Sequence, residues 1–103
     1  MRDVYSAIAD PTRRELIAIL AAAEELPLHS ITPRFEMGRT AISKHLTVLK
    51  QAGLVEERRQ GRETLYRLTP EPLQEVQQWI NHYEMFWIAR LDQLKSLLEG
   101  QEE

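Results

Sequence analysis

Across residues 39–52 the apolar positions recur at helical spacing. At 100° per residue, Ile42, Leu46 and Leu49 share the centre of one face, with Ala41, Val48 and Ala52 beside them. The opposite face carries Arg39, Thr40, Ser43, Lys44, Thr47, Lys50 and Gln51, and not one acid. His45 falls inside the apolar arc, and Gly53 stands where a helix ends. Upstream, Val4, Tyr5 and Ile8 predict a short helix over 4–9. Leu16, Ile17, Ile19 and Leu20 predict a second over 11–25, with Asp10 as its cap and Pro11 at its first position. Leu28, Ile31 and Phe35 predict a third, which is short, irregular or late-starting because Pro33 lacks a backbone donor. Residues 36–38 form a turn.

After Gly53 the period changes. Residues 54–59 and 64–68 read as strands around a glycine-containing turn at 60–63, although alternation in the second is only partial. From residue 72 to 99 the apolar positions are Leu73, Val76, Ile80, Tyr83, Trp87, Leu91, Leu94 and Leu98, spaced by threes and fours, and Trp79, Phe86 and Ile88 widen the stripe. With no Gly or Pro between Leu73 and Leu98, one continuous helix is expected. Twenty-eight residues make about 42 Å of helix. A domain of this size has a radius of gyration of about 13 Å. Part of the stripe therefore projects, and its aromatic residues need a partner; intermolecular packing is the economical answer.

Composition narrows the classes. A chain of 103 residues, 43% apolar and 28% charged, suits a single globular domain over 1–103. No apolar run has membrane-spanning length, and Met1-Arg2-Asp3-Val4 has no apolar signal core. The absence of cysteine removes disulfides, thiolate metal sites and cysteine nucleophiles together. The expected compartment is the cytoplasm, without membrane attachment. An enzyme has little support: there is no glycine-rich phosphate loop and no nucleophile beside a base, and Asp10 and Glu15 form no credible acid/base pair. The net charge of −3 conceals a polarity, because residues 1–35 sum to −1, residues 36–67 to +3 and residues 68–103 to −5. A basic middle between acidic flanks is a local footprint for a polyanion.

The order of elements is that of a winged helix-turn-helix, mainly α with a small β-hairpin (α+β). The helix-turn-helix spans about 28–53, the wing about 54–68, and a long C-terminal dimerisation helix about 71–99. A helix of this kind enters the major groove and places side chains on base edges. Arg58, Arg59, Arg62 and Arg67 surround Gly61 in the hairpin, where they face either DNA or the acids Glu56, Glu57 and Glu63. The rival class is a winged-helix module that binds protein and not DNA. Double-stranded operator DNA and a second copy of the chain are the expected partners.

Asp10-Pro11-Thr12-Arg13-Arg14, the run from Arg39 to Leu46 and the run from Leu49 to Val55 resemble the ArsR family of bacterial winged-helix repressors. Arg59-Gln60-Gly61-Arg62 and Tyr66-Arg67-Leu68 are similar to the family's wing, and Phe86-Trp87 with Arg90-Leu91-Asp92 to the closing helix of one subgroup. The resemblance covers residues 3–98. It implies a homodimeric, sequence-specific repressor acting by operator occlusion. DNA-reading positions fall on Arg39, Thr40, Ser43 and Lys44, to which the outward Thr47 and the wing residues Arg58, Arg59 and Arg62 are added. The implied interface pairs the first and last helices: Val4, Tyr5 and Ile8 with Trp79, Tyr83, Phe86, Trp87, Leu91 and Leu94. The place of His45 on the apolar arc favours a structural or backbone-bonding role over a base contact. Arg13 and Arg14 are open to phosphate contact or to pairing with an interface acid.

Many relatives sense metals. The cysteine-pair site is impossible here, and the last helix offers His82, Glu84, Asp92 and Glu99, with one histidine and no Asp two residues before it. No metal and no cofactor are expected, and the effector is undefined.

Overall fold

A computed structural model of the chain describes residues 3–100. In order, α1 (Val4–Ile8) and α2 (Pro11–Ala21) lead to β1 (Leu26–Pro27) and α3 (Leu28–Ile31), which runs on into a 3₁₀ turn over Thr32–Arg34. Then come α4 (Arg39–Gln51), the hairpin β2 (Val55–Gln60) and β3 (Glu63–Leu68), α5 (Leu73–Asn81) and α6 (Glu84–Gly100). Aspartates start the first two helices: the Asp3 carboxylate accepts from the Ser6 N–H at 2.7 Å and that of Asp10 from the Arg13 N–H at 3.0 Å. Pro11 follows Asp10 at the first helical position, as its missing donor allows.

Helix α4 ends in a Schellman motif. The Gly53 N–H bonds the Lys50 carbonyl at 3.0 Å and the Leu54 N–H bonds that of Leu49 at 2.9 Å, while buried Leu54 and Leu49 supply the accompanying apolar residues. Gly53 has φ +77°, and an added Cβ would meet only Pro72 Cγ at 3.5 Å, an ordinary contact. Conformation, not space, reserves the position for glycine. Gly53→Ala is therefore expected to lower stability by about 1–2 kcal/mol through the left-handed backbone alone. Chemical denaturation checks this, and an unchanged midpoint at unchanged slope would contradict it.

The three strands form an antiparallel sheet in the order β1-β3-β2. Pairing runs from Val55↔Leu68 to Gln60↔Glu63, leaving Gly61-Arg62 as a two-residue loop. Gly61 has φ +64° and no non-glycine residue among the described ones has a positive φ, which is the pattern of a type II′ turn. Strand β1 joins through Leu26↔Tyr66 and Pro27↔Leu65. Leu16, Leu20, Ile31, Ile42, Leu46, Leu49 and Leu54 are almost wholly buried and tie α2, α3, α4 and the sheet into one core.

The element around Pro33 is short and irregular, as expected, a four-residue helix that runs into a 3₁₀ turn holding Pro33. Three local expectations are corrected. Helix α2 stops at Ala21, where the Ala22 N–H closes onto Ala18 and Ile19 carbonyls and the chain turns into β1. Val4, assigned to the interface, is 3% exposed and belongs to the core of its own chain. The closing helix is not continuous. At the break the ring Nδ1 of His82 donates to the Gln78 carbonyl at 2.9 Å, the acceptor that the His82 backbone N–H would use in an α-helix. The backbone N–H groups of His82 and Tyr83 turn instead to Trp79 and Ile80, three residues back, and the α-pattern resumes with Trp87 on Tyr83.

The break does not fold the chain back on itself. The described residues extend 70 × 28 × 22 Å, with a radius of gyration of 19.3 Å, and α6 buries no residue. No helix among the described residues is long and apolar enough to cross a membrane.

Candidate nucleic-acid interface

Helix α4 turns its apolar arc into the core and leaves Arg39, Thr40, Lys44 and Thr47 exposed, with Ser43 half-buried. Gly38 caps it without a side-chain bond, so the first-turn N–H groups have no side-chain acceptor there. The Thr47 hydroxyl donates to the Ser43 carbonyl at 3.0 Å, which occupies its proton and leaves the methyl group to face outward contacts. Lys50 is withdrawn from the donor face by an ion pair with Glu57.

The hairpin divides its arginines by strand alternation. On one side Arg58 is held bidentately by Glu25, with Nε and one terminal nitrogen each at 2.7 Å, and Arg67 is paired with Glu56. That hydrogen-bonded partnership, joined by Coulomb attraction, holds the Glu25 carboxyl below the usual range and raises Arg58. Arg59 and Arg62 are different. Neither enters a hydrogen bond or ion pair among the described residues, and the same is true of Arg39. The three line one groove of about 240 Å³ with His29, Glu63 and Thr64, between the start of α4 and the wing. Its single acid, Glu63, is bonded by His29 at 2.7 Å. Three arginines without a hydrogen-bond or ion-pair partner among the described residues thus line one concavity open to solvent.

A helix-turn-helix domain family model matches residues 8–58. The arsenic resistance transcriptional regulator ArsR1 of Pseudomonas putida is 36% identical over 78 residues, 76% of this chain and 58% of that protein. The transcriptional repressor SdpR of Bacillus subtilis is 32% identical over 83 residues, covering 81% of this chain and 91% of its own length. A crystal structure of a possible transcriptional regulator for arsenical resistance, 38% identical, matches with a TM-score of 0.73 over 93% of this chain and 96% of that one. The chain belongs to the ArsR family.

This ArsR-family member is accordingly a DNA-binding transcriptional regulator with a winged-helix fold. Its three histidines lie apart: His29 bonds Glu63, His45 meets Arg13, and His82 bonds its own helix. Among the described residues no group of three His, Asp or Glu side chains is arranged to hold a metal ion.

The implied interface residues other than Val4 lie at or near the surface of this family member. Tyr5 stands edge-on to Trp79 at 5.9 Å and donates to the Glu75 carbonyl, and Trp79 meets Tyr83 at 5.7 Å. Ile8 is half-buried against the core. Beyond them Phe86, Trp87, Leu91 and Leu94 are more than half exposed, and the Arg90 guanidinium covers the Phe86 ring at 5.0 Å. Sequence reasoning missed Glu25 as the partner of Arg58, and Arg34, an exposed cation unpaired among the described residues at the end of the 3₁₀ turn.

Proposed function

We propose that the chain is a homodimeric repressor that occupies a two-fold operator through α4 and the wing. The observation that carries the reading is the groove lined by Arg39, Arg59 and Arg62, whose single acid, Glu63, pairs with His29, beside an exposed α4 face that lacks acids. Arg39, Thr40, Ser43, Lys44 and Thr47 take the base-edge and phosphate positions of α4, Arg39 being suited to the bidentate reading of guanine. Arg59 and Arg62 reach phosphate or a narrow minor groove. Arg58, tied to Glu25, sets the wing's position and contacts no DNA. Exposed apolar faces of α1, α5 and α6 join two copies, and occupation of the operator excludes the transcription machinery. The names of the relatives, a repressor and a resistance regulator, support the same reading.

Selection from a pool of random duplexes tests it, followed by binding across a range of salt. One enriched sequence, bound with a steep salt dependence, is expected. Failure to enrich any sequence, with binding indifferent to salt, would favour a protein-docking module. The wing makes a sharper prediction on the selected duplex. Arg59→Gln and Arg62→Gln are each expected to reduce the salt slope of the dimer by about 1.8, one phosphate in each half-site, whereas Arg58→Gln leaves it unchanged. Wild-type slopes for Arg59→Gln and Arg62→Gln would remove the wing from the DNA.

A further inference from the structure

We propose that Arg13 and His45 are positioning residues which lock the recognition helix to α1 through a contact that requires an uncharged His45 ring. Arg13 sits in the first turn of α2, where the helix dipole disfavours a cation. Its side chain leaves that turn and reaches back to α1, with Nε on the Ala7 carbonyl at 2.7 Å and a terminal nitrogen on that of Ser6 at 3.3 Å. Arg14 does the same for Ile8 at 2.7 Å. These are carbonyls at the end of a five-residue helix, of which Ser6 also accepts from the Ala9 N–H at 3.3 Å while Ala7 and Ile8 have no later turn to satisfy them, and the helix is too short to persist alone. The two arginines cap α1 from outside.

The remaining terminal nitrogen of Arg13 lies 3.1 Å from His45 Nδ1 on α4. Arginine only donates and stays charged, so Nδ1 must accept and the ring proton lies on Nε2. A second proton on the ring would occupy Nδ1, abolish that bond and set two cations together. The opposite charge facing the ring is Asp10 in the α1–α2 turn, with Oδ2 3.9 Å from Nδ1. Partial desolvation pushes the Asp10 carboxyl up, but the Arg13 N–H bond and the nearby Arg13 charge hold it below the usual range, ready to draw a charged ring away from Arg13. The α4 residues one turn to either side of His45 (Ala41, Ile42, Val48 and Leu49) are uncharged. The ring therefore has two alternatives: neutral on Arg13, with α1, α2 and α4 joined, or charged toward Asp10, with α4 released from α1.

The effect on DNA rests on the reading of α4 as the groove helix, so one measurement omits DNA. Hydrogen exchange of α1 is compared at about pH 8 and about pH 5.5, the span in which histidine changes charge. Intrinsic exchange rates are corrected for pH, and the proteins are wild type, His45→Asn and His45→Ala. Protection of α1 is expected to fall about tenfold in wild type on acidification and in His45→Ala at both values, the worth of a hydrogen bond to a charged group. His45→Asn, which keeps a neutral acceptor, is expected to retain protection throughout.

Binding to the selected duplex is expected to follow the same order. Equal α1 protection in all three proteins would overturn the proposal. So would tightening of wild type on acidification that disappears in His45→Asn, which would make His45 a DNA contact. A protein that binds no duplex, yet shows the expected α1 exchange, would refute the groove reading while supporting the contact.

Discussion

Trp87→Ala combined with Leu94→Ala is expected to convert a micromolar dimer into a folded monomer. The two residues lie seven apart on one face of α6, are 59% and 55% exposed in the single chain, and belong to a helix that buries nothing. Truncating them leaves the core from Leu16 to Leu54 untouched, so the loss falls on association. A tryptophan buries roughly 150–250 Å² when covered. Central interface residues of this kind cost about 2 kcal/mol or more when cut to alanine. Two such losses in each copy weaken association by at least about a thousandfold. Sedimentation at tens of micromolar gives the result. A variant that remains dimeric would move the interface elsewhere, and a monomeric parent would remove it.

The second large effect is expected at Arg39. A bidentate contact to guanine discriminates by about 1–3 kcal/mol. A symmetric dimer makes the contact twice, so Arg39→Ala is expected to cost about 2–6 kcal/mol per duplex and to relax preference at one position in each half-site. Lys44→Ala differs in kind if its ammonium holds phosphate: affinity falls for every sequence and preference is unchanged. Binding of the selected duplex and of single-base variants separates the two patterns. Full affinity in the double alanine variant would take α4 out of the groove.

Features set by a few neighbouring residues could be read from the chain alone. Asp10-Pro11 starts α2, Gly53 ends α4, and Gly61 permits the hairpin turn, each through the conformation of residues within one turn of it. The two faces of α4 were equally plain, since a helix of thirteen residues displays its period several times over. Partners distant in sequence were not readable. Arg58 and Glu25 are 33 residues apart, and nothing local distinguishes Arg58 from Arg59 except strand parity, whose phase depends on which face meets the body. Strand β1 has two residues and exists only because Leu26 and Pro27 lie against Tyr66 and Leu65.

The interruption at His82 shows a different limit. No glycine or proline marks it; the competitor is a side chain that takes the Gln78 carbonyl, a choice visible only once the ring's orientation is known. The family resemblance implies Val4 at the interface, but a five-residue helix held down by Arg13 and Arg14 has little surface to spare, and Val4 and Ala7 face inward. The conflict of two arginines at a helix start was visible in the sequence as a cost. Its cause, the exposed carbonyls of the preceding helix, required the structure.

Hydroxyl-radical footprinting of the dimer on the selected duplex tests the central claim most directly. Two-fold symmetry and a groove helix in each copy predict two protected half-sites related by a dyad, with centres about one helical turn, 10–10.5 base pairs, or a multiple of it apart. Loss of protection outside the half-sites is expected on removing Arg59 and Arg62. A single asymmetric protected patch, or protection unchanged when Arg39, Arg59 and Arg62 are all replaced, would contradict the assignment of this face to DNA.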